Sequence, residues 1–503
     1  MLATTSTLFK SMSRSAVRSA SHRTKAIGQH MMSTSAFNSP PDSESTVIFE
    51  SIGALRRYTL NRPAKRNGLN EQMLSLLRPK IEEWSTSDLC GSIVGTGNGL
   101  AFCAGGDVPA VVADAKSDAT RPRAIDYFKR EFEMDYILAA LNKPYVAVLD
   151  GITMGGGVGL VANAPFRIAT ERTDFAMPET KIGYCPDVGA SYFLSRMDGE
   201  LGTYLALTGE SLKGRAVFEH GFATHYIPSR RVPMLLDRLA ALEDSHPRKI
   251  NQTIEELSSE REPTEPPAPF VGPKRTALDY AFRHNEVEKI ILELEKLQTH
   301  EIESVGKWAT DTLGILHLRS PTSLKVALKA IRKGKKMSLL EALEMELGIA
   351  TAFCSRASPD FAVGVKTFFI EKSKQRPNWS PSTIDKVSEE IVDRFFNPTS
   401  KYLAAAPRLE IPKHLATGIL ANPNKYALPS EAEIGAVVRG EHPSGATGSI
   451  RLDELLARFA ELYPGKLGVK ERVLEVANRR CELVDNADGN VVWLKWKHEP
   501  SPP

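Results

Sequence analysis

Cysteine is scarce in this chain and unpaired in number. Cys90, Cys103, Cys185, Cys354 and Cys481 are the only five in 503 residues, and none has metal-ligand spacing. That argues against a disulfide framework and a structural zinc, and for a reducing compartment. The eleven histidines form no His-x-x-x-His pair, so no metal site is expected. No apolar run is long enough to cross a bilayer, and membrane insertion is not expected either. Nucleotide and nucleophile signatures are missing too. A dinucleotide fingerprint from Gly155 would need glycine where Leu160 stands, and a phosphate loop from Gly151 would need Lys-Ser/Thr where Gly157 and Val158 stand. No Gly-x-Ser-x-Gly elbow is present. Cys103 and Cys185 have no histidine in their motifs to activate them, so they read as packing residues rather than thiol nucleophiles.

Acidic residues are absent from the N-terminus as far as Asp42, whereas Lys10, Arg14, Arg18, Arg23 and Lys25 are interspersed with serine and threonine. Residues 1–35 therefore read as a mitochondrial targeting segment, with a basic tail for nucleic acid or membrane as the alternative. Without those five cations the formal charge of +3 becomes −2, so the body of the protein calls for no polyanionic partner. Its length and 42% hydrophobic content suit a globular chain of more than one domain.

What is present is concentrated in one stretch: Gly151-Ile-Thr-Met-Gly-Gly-Gly-Val-Gly159, then Ala176-Met-Pro-Glu-Thr180, then Pro186-Asp-Val-Gly189. Glycines 155–157 let backbone N–H groups approach a ligand closely, and the apolar Val158, Leu160 and Val161 predict a helix whose positive end points the same way. A second glycine turn, Ala101-Phe-Cys-Ala-Gly-Gly-Asp107, supplies a candidate second donor. Two donors aimed at one carbonyl oxygen serve thioester chemistry, because negative charge develops there in enolates and tetrahedral intermediates alike. Glu179 alone would read as a carboxylate closing a strand or helix; beside two glycine turns in register it reads as an active-site group.

In this pairing the chain resembles the enoyl-CoA hydratase/isomerase (crotonase) superfamily. The likeness extends in order through Leu60-Asn-Arg-Pro63, Gly68-Leu-Asn70, Lys143-Pro-Tyr-Val146, Leu207-Thr-Gly209, Leu212-Lys-Gly-Arg215 and Gly221-Phe-Ala-Thr-His225. Hydratases of that superfamily carry a glutamate three residues after the middle glycine of the donor turn; here the position is Gly159. Adding water across a double bond needs both an acid and a base, whereas one acting carboxylate with a helper suits hydrolysis. The resemblance to the hydrolase branch implies release of 3-hydroxyisobutyrate and coenzyme A from their thioester in valine breakdown. By that resemblance Glu179 attacks the carbonyl or activates a water, Asp187 orients the acyl hydroxyl or the water, Gly106 and Gly156 hold the oxyanion, and Glu131 contacts substrate. No separate cofactor is implied, since coenzyme A is part of the substrate. A 3-hydroxypropionyl group differs by one methyl, about 1–3 kcal/mol in an apolar pocket, and stays open as the acyl group.

The expected fold is α/β: a crotonase-like spiral of β-β-α units followed by a helical region and a small α+β C-terminal module. β-type runs at 47–49, 57–60, 92–94, 145–149 and 166–169 alternate with helical stretches over a core spanning 45–243. Pro247, Pro263, Pro266, Pro267, Pro269 and Pro273 disfavour regular structure over 244–275, which reads as a linker or lid. Residues 276–396 read as helical, covering the active site by resemblance, although Val363 stands where the family usually has glutamate. A basic run, Lys325, Lys329, Arg332, Lys333, Lys335 and Lys336, is either a solvated face or a grip for the 3′-phosphate of coenzyme A or an RNA backbone. The adenine end is placed by resemblance at Lys65-Arg66-Asn67-Gly68. Residues 397–503 lie beyond the usual end of the hydrolase. Leu452, Leu455, Leu456, Phe459 and Leu462 predict a helix, with Val473, Leu474 and Val476 following. A turn at Asn486-Ala-Asp-Gly489 leads into a strand. Proteins resembling this branch also occur in the mitochondrial small ribosomal subunit, so the extension is a candidate docking module. The sequence implies no particular oligomeric state.

Overall fold

In the computed structural model, which describes residues 45–416, 420–444, 450–485 and 492–497, the six strands between residues 92 and 176 alternate between two sheets. Strands β1 (Val47–Ile52), β2 (Leu55–Leu60), β3 (Ser92–Gly97), β5 (Tyr145–Leu149), β7 (Phe166–Ala169) and β10 (His225–Tyr226) form a six-stranded sheet in that order. It is parallel apart from the β1–β2 hairpin. Strands β4 (Ala101–Cys103), β6 (Ile152–Met154), β8 (Asp174–Ala176) and β9 (Leu212–Lys213) form a smaller sheet, with β4, β6 and β8 parallel. Over residues 92–176 each unit thus gives one strand to the large sheet and the next to the small one, as in the expected spiral. All five β-type runs of the sequence are strands.

The small sheet positions the site. Because β4, β6 and β8 are neighbours running the same way, the segments leaving their C-terminal ends emerge together, where open parallel sheets present ligand sites. Those segments are the 104–107 turn, the 155–159 turn and Met177-Pro178-Glu179.

Helices close over this edge. Helix α1 (Glu71–Thr86) starts where Asn70 accepts the Met73 N–H at 3.0 Å and buries Met73, Leu74, Leu77, Ile81 and Trp84, an i, i+4 stripe. Next come α2 (Val108–Ala115), α3 (Arg121–Ala139) and a single turn, α4 (Gly156–Gly159). The helical region is made of α5 (Gly272–Phe282), α6 (Val287–Leu297), α7 (Glu303–Leu318), α8 (Pro321–Gly334) and α9 (Leu339–Cys354). Helix α9 opens on a Ser338/Glu341 capping box.

One local expectation is corrected. The proline-rich stretch is not devoid of regular structure: Pro247–Glu255 is helical and buries Ile250, Thr253 and Ile254 against Leu235 and Leu239. Pro247 stands at the first helical position, where its missing N–H has no partner to lose. Beyond residue 397, α10 (Leu452–Leu462) and α11 (Val469–Arg480) lead into the antiparallel pair β11 (Cys481–Asp485) and β12 (Val492–Trp496). Ile434, Leu455, Phe459, Val473 and Trp496 join the same hydrophobic cluster as the sheet core. The targeting segment 1–35 and the turn at 486–489 lie outside the described residues.

Candidate active site

The two glycine turns abut. Leu69 bridges to Gly106, donating to the Gly105 carbonyl at 2.8 Å and accepting from Asp107 N–H at 2.8 Å, which ties the first turn to the 65–68 segment. A Cβ built on Gly155 would stand 3.5 Å from Gly105 Cα and 2.9 Å from Glu179 Oε1. Gly155 itself has φ +49°, a conformation other residues rarely adopt. One residue on, a Cβ at Gly157 would meet the Cys103 carbonyl oxygen at 2.4 Å, so β4 and the second turn fit together only without that side chain. Among the described residues, no acceptor is paired with the N–H of Gly106 or of Gly156. The helix expected to reinforce the donors is a single turn, too short for a macrodipole, so the donor strength is that of the peptide groups themselves.

Around these donors stand five buried carboxyls. Glu179 opens a short 3-10 turn, Glu179–Ile182, with its Oε2 lacking a hydrogen-bond partner. Glu131, on α3, reaches Gly156: a Cβ there would stand 2.1 Å from Glu131 Oε1, the same oxygen that accepts from Tyr127 Oη at 3.3 Å. Asp187 accepts from Tyr184 Oη at 2.9 Å. The next residue, Val188, has φ +55°, a strained value for a β-branched side chain. Glu346 of α9 braces that loop, accepting from Gly189 N–H at 2.6 Å and from Ser191 N–H at 2.8 Å. Asp135, one turn beyond Glu131 on α3, is the fifth.

None of the five has a lysine, arginine or histidine ion-pair partner among the described residues, and the protons redistribute accordingly. Burial raises Glu131 to about 8, against the Tyr127 hydrogen bond. Burial, then the nearby Glu131 and Glu346, raises Glu179 to about 8, against a backbone hydrogen bond. Burial, reinforced by Glu131, Glu179 and Glu346, pushes Asp187 well above the usual carboxylate range. Burial raises Glu346 to about 7 although Ser191 and Gly189 donate to it. Such a set cannot ionise together. It holds its protons more tightly than free carboxyls do and places them beside two backbone donors, which is the equipment for a base or nucleophile at a carbonyl carbon.

All five sequence-predicted site residues, Gly106, Glu131, Gly156, Glu179 and Asp187, fall within this cluster. Asp135, Glu346, Tyr127 and Tyr184 were not legible as site residues. The available signal was a carboxylate on an apolar stripe: Asp135 follows Phe128 and Phe132, and Glu346 lies between Leu343 and Leu347. The thiols read as packing groups are buried, with Cys103 pushed up to about 12 by burial and Cys185 also raised well above the ordinary thiol range. In the basic run, Lys325 pairs with Glu288 at 2.6 Å, Lys329 with Asp393 at 3.0 Å and Arg332 with Glu200 at 2.8 Å, so half of it is engaged within the fold. The 65–68 turn carries left-handed Arg66 and Asn67, and the Arg66 carbonyl accepts from Ala104 N–H at 3.0 Å, beside the first donor turn. No group of histidine, cysteine or carboxylate side chains with metal-holding geometry occurs among the described residues. No described helix is long and apolar enough to cross a membrane.

Comparison with known proteins agrees with this geometry. A family model described as enoyl-CoA hydratase/isomerase matches residues 55–396. The small ribosomal subunit protein mS47 of Neurospora crassa is 38% identical over 470 residues, covering 90% of this chain and 89% of that protein. The mitochondrial 3-hydroxyisobutyryl-CoA hydrolase of Gallus gallus is 38% identical over 358 residues, 71% of this chain and 90% of that protein. A carnitinyl-CoA dehydratase from Mycobacterium thermoresistibile superposes with a TM-score of 0.62 at 30% identity, covering 72% of this chain and 99% of that one.

Proposed function

The chain belongs to the enoyl-CoA hydratase/isomerase family, and from that premise we propose that it hydrolyses 3-hydroxyisobutyryl-CoA to 3-hydroxyisobutyrate and free coenzyme A. The observation that carries the reading is Glu179 standing against Gly155 while Gly159, at the hydratase position, brings no carboxylate of its own. The Gly106 and Gly156 N–H groups hold the thioester carbonyl oxygen. The ionised Glu179 takes a proton from a water as that water's oxygen adds to the carbonyl carbon, and Asp187, steadied by Tyr184, orients the water. Collapse of the tetrahedral oxyanion breaks the C–S bond, and the departing thiolate takes the proton from Glu179. Glu131 lines the acyl pocket beside Gly156. No cofactor beyond the coenzyme A of the substrate enters. Release of free thiol from a panel of acyl-CoA thioesters by the purified chain tests the reading: 3-hydroxyisobutyryl-CoA should rank among the fastest, and absence of thiol release from every member contradicts it.

The proposed compartment is the mitochondrial matrix, with residues 1–35 as the address. A second reading, docking on the mitochondrial small ribosomal subunit, is favoured by one observation: the Neurospora crassa relative runs alongside 90% of the chain, a span too long to stop at residue 396. The two are compatible, since a purely structural role places no demand on Glu179, Asp187 or the donor turns. Sedimentation of a mitochondrial extract at low and moderate salt separates them: co-migration with the small subunit supports docking, and free migration at both salts opposes it.

A further inference from the structure

Asp135 is a buried carboxyl with no protein partner for either oxygen. Leaving such a group unsatisfied costs about 1–3 kcal/mol or more, so its position calls for a reason. The position is specific. A Cβ built on Gly159 would stand 2.6 Å from Asp135 Oδ2, 2.8 Å from its Cγ and 2.6 Å from Val188 Cβ, so the Asp135 carboxyl and Val188 together fill the volume a side chain at Gly159 would otherwise enter. Residues 131 and 135 are one turn apart on α3, and 156 and 159 one turn apart on α4. The two helices are thus in step, Glu131 against Gly156 and Asp135 against Gly159.

We propose that Asp135 is a specificity-determining residue that binds the 3-hydroxyl of the acyl group. The inference rests on the hydrolase reading, in which the Gly156 N–H holds the C1 carbonyl oxygen. A group one helical turn along, about 5 Å away, then faces C3, because only two bonds separate C1 from C3 and one more reaches the hydroxyl oxygen. The hydroxyl satisfies the orphaned carboxyl, and the carboxyl selects for the hydroxyl. Burial, reinforced by Glu131, Asp187 and Glu346, raises Asp135 well above the carboxylate range. Tyr58, Tyr145 and Cys103, the other titratable groups that feel it, are themselves held neutral by burial. In its protonated form Asp135 donates a hydrogen bond to the hydroxyl oxygen, while the thioester carbonyl stays with Glu179 and the two backbone donors.

The test is calorimetric binding of 3-hydroxyisobutyryl-CoA and isobutyryl-CoA to the full chain carrying Glu179→Gln, which blocks turnover. The hydroxylated thioester should bind at least about tenfold more tightly, one hydrogen bond's worth. Asp135→Leu and Asp135→Ala, two apolar variants that change volume in opposite directions, should each abolish the preference, and Asp135→Asn, which still donates, should retain it. Equal preference in all four proteins, or none in the parent, overturns the proposal while leaving thioester hydrolysis standing. Failure of both ligands to bind overturns it together with the hydrolase reading.

Discussion

At the scale of single residues, the site turns on where a proton resides. In the proposed hydrolysis Glu179 must be ionised to act as a base, and burial with negative neighbours lifts it from the ordinary 4.5 to about 8. Hydrolysis, measured as kcat/KM, should therefore rise with pH to a plateau above about 8, and a flat profile between about pH 6 and 9 contradicts the assignment. Stability runs the other way. With its folded value raised, Glu179 binds more protons folded than unfolded between about pH 4.5 and 8, so its contribution is whole below that window and lost as pH rises through it. The melting temperature of Glu179→Gln, relative to wild type, should gain more at about pH 8.5 than at about pH 5; equal shifts at both pH values would show the carboxyl to be unperturbed. The donors are tested by Gly156→Pro, which deletes one N–H and distorts its turn. Removing one oxyanion donor costs about 2.7–4 kcal/mol, so a folded variant should lose at least roughly a hundredfold in kcat. Full activity in that variant would remove Gly156 from the oxyanion hole.

At the scale of elements, α9 and the 186–191 loop form one device. Val188 is held at a strained φ and Glu346 supplies the acceptors that hold it, so Asp187 is aimed by a residue more than a hundred positions away. Glu346→Gln keeps only one acceptor oxygen and removes a negative neighbour of Glu179. It should lower kcat about tenfold, as one hydrogen bond is lost, and move the midpoint of the pH profile downward. A lower kcat with an unmoved midpoint would limit Glu346 to bracing the loop. These elements differ in how legible they were. The strands were readable because two-residue alternation and β-branched runs act locally, and the same holds for the helices after residue 272. Helix α4 is one turn, Gly156–Gly159, and Pro165 disfavours helix at Ala164, so the apolar run behind the glycines had little room to extend it. Glu179, Asp187 and the glycine turns were readable because their chemistry lies in contiguous motifs. Asp135 and Glu346 were not, since each looks like an ordinary polar residue in a helix until tertiary packing turns it inward.

For the whole molecule, the segment after residue 397 is built into the fold. Tyr426 stacks on Phe166 of the large sheet at 4.8 Å, and Arg167 donates to Asn424 Oδ1 at 2.6 Å. Lys466 pairs with Glu255 at 2.8 Å. Arg479, its side chain 3% exposed, pairs with Glu431 and Glu475 at 2.8 Å each and reaches Asp279 of α5 at 3.6 Å. Arg479→Ala leaves each carboxylate one other arginine, Arg480 for Glu431 at 3.0 Å, Arg472 for Glu475 at 3.4 Å and Arg275 for Asp279 at 2.9 Å, so it should destabilise the protein by about 1.5–3 kcal/mol in urea denaturation, whereas a loss under about 0.5 kcal/mol would mean the network is solvated.

In the proposed reaction one acting carboxylate beside two backbone donors favours hydrolysis over hydration. The most direct measurement follows wild-type protein with two substrates in parallel, thiol release from 3-hydroxyisobutyryl-CoA and loss of the conjugated double bond of crotonyl-CoA. Thiol release, abolished by Glu179→Gln, and no hydration of crotonyl-CoA are the expected outcomes. Rapid hydration of crotonyl-CoA with no thiol released from either thioester would contradict the proposed reaction.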